Sequence, residues 1–243
     1  MINIVRAEYL KTRKSMGRVL IWVFPMIVFA LAFVFTLGMT NAYAESVWNW
    51  WYTLLLPGML AITCYLSITR EKKTRYYHLM TLSTSKRKLM MGKIIYMGCV
   101  ILVSNMMIFV GTSLGGILLT TCVPIRGAGI AIVVLTISQL WEIPLLLFLS
   151  ERFGMIVELL VCLFLTVGGT ILAPTGKWYL FVSSIPMRIL CPLLHILPNG
   201  IRAEEGNPLL DMGVVVPGIC LSIIWFILAT ILFINWFDKR EGK

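Results

Sequence analysis

The chain has 243 residues, of which 59% are hydrophobic and only 13% are charged, and its mean hydropathy is +0.89. A soluble domain is about 45–50% apolar and about 25% charged, so the composition excludes an ordinary soluble fold and indicates a membrane protein. The basic residues behind the net charge of +10 border apolar segments, which favours contact with lipid headgroups and makes nucleic-acid binding a poor explanation.

The N-terminal lead, residues 1–18, is polar and basic and is predicted to form a helix in the membrane interface. Read as a helix, it places Ile2, Val5 and Tyr9 on an apolar stripe opposite Lys11. A helix with one apolar and one basic face lies in the plane of the interface. The alternative is a disordered basic lead that only sets orientation.

Six apolar segments follow the lead, and each is long enough to cross a bilayer as a helix. They cover residues 19–40, 50–69, 94–121, 129–149, 154–173 and 214–237. A helix satisfies its own backbone hydrogen bonds, as hydrocarbon demands. The predicted fold class is therefore all-α: residues 1–243 form a single polytopic membrane domain with six transmembrane helices.

Lysine and arginine are unevenly divided between the two sides that six spans define. Seventeen lie in the lead, in the 70–93 loop, at Arg152 or after the last span, and four lie on the other side. Because cytoplasmic segments carry the excess of these residues, both termini are predicted to be cytoplasmic.

The cytoplasmic loop 70–93 contains a short predicted helix with apolar and aromatic residues mostly on one side. The candidate docking residues are Glu71, Lys72, Tyr76, Tyr77, Leu79 and Met80. Such a helix can dock in a groove on a partner. The alternative is a basic loop that holds orientation and contacts lipid headgroups.

Two acidic residues lie within the predicted spans. Glu142 is in the fourth span, with Gln139 one turn before it. A charge at a helix centre costs about 2.5–3.5 kcal/mol, so such a residue usually faces the bundle interior. Glu142 and Gln139 are therefore candidates for a substrate path, although a protonated Glu142 that hydrogen-bonds a neighbouring helix is the alternative. Glu158 is nearer a span end and is expected to snorkel towards water.

The outer segment, residues 174–213, combines five prolines with strongly apolar runs. It is predicted to lie on the membrane or to dip back among the helices. Trp178, Tyr179 and Arg188 are candidates for contact with an amphipathic substrate, and a structural cap is the alternative.

Several chemical motifs are missing from the sequence. It has no phosphate-binding loop of the Gly-x-x-x-x-Gly-Lys-[Ser/Thr] type and no His-Glu-x-x-His or Gly-x-Ser-x-Gly motif. We therefore expect no ATP hydrolysis by this chain and no cofactor or metal bound by it. The six cysteines are scattered without a Cys-x-x-Cys pair, and a disulfide between Cys122 and Cys191 is left open.

Several short stretches carry a resemblance to a known family. They are Asn49-Trp50-Trp51-Tyr52, Leu56-Pro57-Gly58-Met59, Glu71-Lys72-Lys73, Ile185-Pro186-Met187-Arg188, Cys191-Pro192 and Leu197-Pro198-Asn199-Gly200. With the basic lead and six spans, they resemble the type-2 ABC exporter permeases, and more narrowly the E-type lantibiotic immunity permeases of Gram-positive bacteria. One departure is the absence of proline from Leu82-Ser83-Thr84-Ser85, where such permeases often carry a Ser-x-Pro-Ile turn.

The resemblance implies a permease in the bacterial cell membrane that expels cationic amphipathic lantibiotic peptides and so confers immunity or resistance. The implied partners are a cytoplasmic ABC ATPase, present as a pair, which uses the ATP, and a second homologous permease, identical or paralogous. The 70–93 loop would then carry the coupling helix. The alternatives are a related exporter of a bacitracin-like drug or peptide, and a membrane sensor or scaffold without transport.

Overall fold

The computed structural model describes residues 1–36, 42–74, 84–118 and 123–239. Across these ranges the fold is helical, and the only pairing of β type is an isolated bridge between Ile196 and Arg202. The predicted all-α class is confirmed.

Ten α-helices span the described residues, with short 3-10 turns at Trp178–Leu180, Pro208–Leu210 and Met212–Val214. They are α1 Ile2–Thr12, α2 Met16–Phe35, α3 Tyr43–Trp50, α4 Leu56–Lys73, α5 Lys86–Leu118, α6 Ile125–Gln139, α7 Glu142–Arg152, α8 Met155–Leu172, α9 Ser184–Leu194 and α10 Val215–Asp238. A π-helical turn, Trp51–Leu55, joins α3 to α4 without a break.

Five helical stretches are long and apolar enough to cross a membrane, and a sixth span results if the bent pair α6–α7 is counted as one. The membrane-spanning prediction is therefore confirmed, with one correction. The fourth span was expected as one helix over 129–149, but it breaks after Gln139 and the two parts meet at 42°. Pro144 explains the break, because its ring clashes with the carbonyl of Leu140 and it cannot donate to that group.

The lead is also helical, but α1 ends at Thr12 and α2 begins at Met16. Ile2 and Tyr9 are exposed on the outside of α1, whereas Glu8 and Thr12 are buried against the bundle. Ile2 and Tyr9 are thus free to contact lipid, as expected of an interfacial helix, whereas Val5 of the predicted stripe packs against the core. The inward face of α1 combines the polar residues Glu8 and Thr12 with the partly buried Ile4 and Val5.

The central element is the continuous stretch Tyr43–Lys73, which is far more buried than the helices α2, α8 and α10 around it. Trp48, Trp51 and Tyr52 are among its fully buried side chains. Trp51 Nε1 donates to Asn105 Oδ1 over 2.8 Å, and Asn105 Nδ2 donates to Thr136 Oγ1 over 3.0 Å. The core is therefore held by packing and by a satisfied polar chain that joins three helical elements.

The outer segment contains α9, whose eleven residues are all buried. It packs between α6 and α10, where Gly127 and Gly218 allow close approach. A Cβ at Gly127 would collide with the Leu193 carbonyl, and one at Gly218 would collide with the Ile189 side chain. Of the two placements predicted for this segment, α9 therefore takes the one among the helices.

Ion pairs gather several helix ends at one end of the bundle. Arg87 Nε lies 2.9 Å from Asp238 Oδ2, which joins the start of α5 to the end of α10. Lys72 Nζ at the end of α4 lies 2.6 Å from the Glu151 carbonyl oxygen at the end of α7. This arrangement agrees with an even number of crossings, and the cytoplasmic placement of this end remains a prediction.

Candidate functional site

A buried ion-pair cluster joins α1, α4 and α5 at the end of the bundle where the ion pair between Arg87 and Asp238 also lies. Lys93 Nζ lies 3.0 Å from Glu8 Oε2, 2.7 Å from Ser67 Oγ and 3.5 Å from Glu71 Oε1. Lys11 Nζ lies 2.7 Å from Glu8 Oε1 and 2.9 Å from Glu71 Oε1. Two cations and two carboxylates therefore compensate one another where water is largely excluded.

Electrostatic compensation within this cluster shifts the pKa of each of its two α1 members. Burial alone would raise the pKa of the Glu8 carboxyl, but Lys93 and Lys11 outweigh it and the pKa lies below the usual value. Burial would lower the pKa of Lys11, but Glu8 and Glu71 outweigh it and the pKa is raised. Both shifts favour the charged forms, so the cluster is held together by ions at neutral pH.

A second contact fixes α1 to α5 beside the cluster. The Thr12 and Tyr96 hydroxyl oxygens lie 2.6 Å apart in a buried hydrogen bond. Ile4 packs over Gly92, where a Cβ would meet its side chain. The lead is therefore docked on α5 by polar and apolar contacts together.

Of the predicted coupling residues that the structure describes, one is buried and one is partly exposed. Glu71 is buried in the ion-pair cluster and faces the interior, while Lys72 is partly exposed and contacts the end of α7. The other four predicted docking residues lie outside the described residues: Tyr76, Tyr77, Leu79 and Met80. Among the described candidates, Glu71 therefore has a place within the bundle and Lys72 has a place at its surface.

Glu142 is the first residue of α7 and lies directly after the break in the fourth span. Glu142 Oε2, Gln139 Oε1 and Trp141 Nε1 are buried and have no hydrogen-bond partner among the described residues. Buried polar atoms without a partner are costly. The predicted pair Gln139 and Glu142 thus lies on the two sides of the break, at an interior position where both side chains have unused hydrogen-bonding capacity.

Glu158 is fully buried on α8, and the expectation that it snorkels to water is wrong. Ser150 Oγ of α7 donates to Glu158 Oε2 over 2.7 Å. The cause is the short antiparallel turn between α7 and α8, which brings Ser150 opposite Glu158. The spacing of Glu158, Cys162 and Thr166 along one buried face of α8 is the sequence signal for this placement.

The three candidates in the outer segment have different environments. Tyr179 is about half exposed, and Trp178 beside it is partly buried. Arg188 is buried on α9 and donates to the Leu209 carbonyl oxygen over 2.6 Å. Arg188 therefore fastens the segment after α9, whereas Tyr179 is available at the surface. Cys191 is a buried free thiol, and Cys122 lies outside the described residues.

The family model described as "ABC-2 family transporter protein" matches residues 4–169, which is more than half of the chain and extends from α1 into α8. No curated protein and no solved structure matches the chain significantly.

Proposed function

The chain belongs to the ABC-2 family of transporter proteins, and we propose that it is the permease of an exporter that expels a lantibiotic from the membrane. The family provides the transmembrane component of ABC exporters, and a separate ABC ATPase is its partner. The chain is thus a multi-pass membrane permease and not the ATPase.

The observation that carries the proposed coupling role is the position of the buried ion-pair cluster. Glu71 lies two residues before the end of α4, and Lys93 lies in the first turns of α5, so the cluster joins the two helices that border the predicted coupling loop. Because both helices are also bound to α1, a force applied to the loop reaches three elements at once. This arrangement supports a coupling role for the loop, on which a pair of ABC ATPase subunits would act after binding ATP.

The interior position at the break in the fourth span supports the proposed substrate path. A cationic peptide is attracted by an acidic group, and Glu142 with Gln139 presents unpartnered oxygens there. Tyr179 and Trp178 would meet the peptide at the opposite end of the bundle from the termini, where it leaves. Arg188 would contribute to the path indirectly, because it holds the segment after α9 in place. We further propose a Gram-positive cell membrane as the location, cytoplasmic termini and a second homologous permease.

Two alternatives make different predictions. A related permease would expel a bacitracin-like drug or peptide, and a sensor or scaffold would need no ATPase. The chain should be co-expressed with its candidate ATPase, purified and placed in vesicles, and ATP-dependent release of a lantibiotic and of bacitracin should be measured side by side. Release of the lantibiotic is expected, release of bacitracin alone favours the first alternative, and an intact chain without a bound ATPase favours the second.

Coupling is tested in the same preparation with Tyr76→Ala combined with Tyr77→Ala. The double variant should reduce co-purification of the ATPase, because it removes both aromatic side chains of the predicted docking surface. Tyr9→Ala is a matched control, since Tyr9 is an exposed tyrosine on α1. Unchanged ATPase binding and ATP turnover in the double variant would exclude this docking surface.

A further inference from the structure

We propose that a groove between the π-helical turn and α8 binds the uncharged, apolar segment of an amphipathic peptide. The inference rests on the proposed function, because it names where the exported peptide is held. The groove lies towards the end of the bundle opposite the ion-pair cluster and has a volume of about 380 Å³. Binding pockets are typically about 300–1,000 Å³, largely apolar, with a few convergent polar groups.

The apolar wall of this groove opens towards lipid. Leu163, Val167 and Ile171 follow one another on the outer face of α8, and each side chain is half exposed or more. Leu54 of the π-helical turn forms the facing wall. A molecule already dissolved in the membrane interface can therefore reach the groove laterally, without crossing the bundle. Amphipathic peptides bind at the boundary between headgroups and acyl chains, where we expect the end of the groove near Ile171 to lie.

The polar edge of the groove is formed by the amides of Asn49 and Asn199. Asn49 Nδ2 donates to the Pro198 carbonyl oxygen over 3.2 Å, and Asn199 Oδ1 accepts from the Ile201 amide over 3.1 Å. These bonds hold both side chains in place at the edge of the groove. A side-chain amide carries two donor hydrogens and a carbonyl acceptor, which are the groups that pair with a peptide backbone.

The lining of the groove favours an uncharged peptide segment over a phospholipid headgroup as its ligand. Among the residues that the structure describes, no Lys, Arg, Asp or Glu lines the groove. A phosphate is bound best by Arg, Lys or a helix N-terminus, and the described lining supplies no such side chain. An uncharged peptide segment needs only apolar contacts and amide hydrogen bonds, while its cationic residues remain outside the groove.

The π-helical turn gives the groove its shape. Trp51–Leu55 winds with a wider turn than the α-helices on either side, and such turns are frequent at functional sites. Thr53 and Leu54 of this turn both line the groove. Thr53 Oγ1 donates to the Asn49 carbonyl oxygen over 2.5 Å, so the two polar residues at this edge of the groove are joined by a hydrogen bond.

The test uses the full chain with its ATPase in vesicles and a synthetic cationic amphipathic peptide that carries a benzophenone in its apolar segment. Illumination should link the peptide to the groove, with linked fragments mapping to α8 near Val167 or to the π-helical turn. Val167→Trp should reduce this product at least tenfold by filling the groove. Leu160→Trp is the matched control, because Leu160 is exposed on the same face of α8, two turns away, and lies outside the groove; it should change the product less than twofold.

The proposal is overturned if Val167→Trp leaves the product unchanged, or if the links map elsewhere in both proteins. A photoactivatable phosphatidylcholine is the second probe. Labelling of the groove by this lipid that an excess of the peptide does not reduce would assign the groove to lipid and also overturn the proposal. ATP-dependent peptide release without groove labelling would refute the groove and leave the proposed function standing. Groove labelling without any ATP-dependent release would refute the proposed function and retain the groove.

Discussion

Replacing Lys93 by methionine should destabilise the protein, because it removes the cation shared by two buried carboxylates. The Lys93 side chain is 1% exposed and that of Glu8 is 4% exposed. Removing one partner of a buried ion pair typically costs about 3–5 kcal/mol. Lys11 still contacts Glu8 and Glu71 in the variant, so the expected loss is at the lower limit, about 3 kcal/mol. For a protein of this size, about 1 kcal/mol changes Tm by about 2–4 °C, which predicts a decrease of about 6–12 °C.

The assay is thermal unfolding of the purified protein in detergent, together with amide hydrogen exchange of α1. Exchange should accelerate in α1, since the ion-pair cluster is one of its main attachments to α5. Lys88→Met is the matched control: Lys88 is an exposed lysine on the same helix, and surface substitutions usually stay within about 0.5 kcal/mol. If Lys93→Met and Lys88→Met have the same Tm, the energetic argument for the cluster is refuted.

A second variant separates lost charge compensation from lost packing. Glu8→Gln added to Lys93→Met removes one uncompensated carboxylate and leaves Lys11 to pair with Glu71. The double variant should recover at least half of the lost Tm. If packing of the Lys93 stem were the cause, the double variant would be no more stable than Lys93→Met.

The pH dependence of the same cluster has a definite sign. Because the folded pKa of Glu8 lies below its ordinary value of 4.5, its contribution is complete above pH 4.5 and is lost as pH falls through the folded value. The Tm difference between the wild type and Glu8→Gln should therefore be constant near neutral pH and should shrink in acid. A difference that grows in acid would contradict the assignment.

Three further predictions concern other parts of the molecule. Glu142→Gln preserves shape and should keep expression and Tm while reducing protection against added lantibiotic about tenfold; undiminished protection would remove Glu142 from the substrate path. Gly127→Ala forces a methyl group against the Leu193 carbonyl, so it should separate α6 from α9 and lower Tm by about 2–12 °C, which corresponds to about 1–3 kcal/mol of overpacking, whereas Gly129→Ala, with open space around it, should not. A tag fused after residue 243 should resist membrane-impermeant labelling on intact cells, and labelling there would reverse the proposed orientation.

Hydropathy was sufficient to predict the fold class and nearly all of the spans. The reason is that hydrocarbon leaves the backbone few alternatives to a helix, so the apolar segments alone determine where helices lie. The break before Glu142 was also readable in principle, because Pro144 prevents a continuous helix through Leu140. The break was not predicted, because one proline hardly changes the mean hydropathy of a segment of about twenty residues.

The position of the outer segment could not be predicted from the sequence alone, because it depends on contacts that form only in the folded bundle. An apolar helix as short as α9 fits both a position on the membrane surface and one inside the bundle. What distinguishes the two is the space at Gly127 and Gly218, which are far from α9 in sequence and recognisable as its neighbours only in the fold. Glu158 was misjudged for a similar reason, since its partner Ser150 lies on the neighbouring helix.

Lys11 and Lys93 show most clearly that a count of basic residues along the sequence omits their contacts in the fold. Lys11 and Lys93 were both counted as basic residues that set orientation, which treats them as ions in contact with water or headgroups. The structure turns both towards Glu8 and Glu71, so they also hold α1, α4 and α5 together. A lysine that sets orientation can be moved by a few residues along the chain without loss, whereas one that compensates a buried carboxylate cannot.

This distinction bears on coupling. In the structure α4 ends at Lys73, two residues after Glu71, and α5 begins at Lys86, seven residues before Lys93, so the ion-pair cluster joins the two helices that border the predicted coupling loop. Lys72 next to Glu71 contacts the end of α7, the helix that begins at Glu142 beside the break. We therefore expect a displacement of the loop to be passed along α7 to the interior position at its other end, through the contact between Lys72 and the Glu151 carbonyl oxygen. In the complex, Lys72→Met should then weaken ATP-dependent release of the peptide while the chain still binds the ATPase. If the variant loses ATPase binding instead, Lys72 belongs to the docking surface.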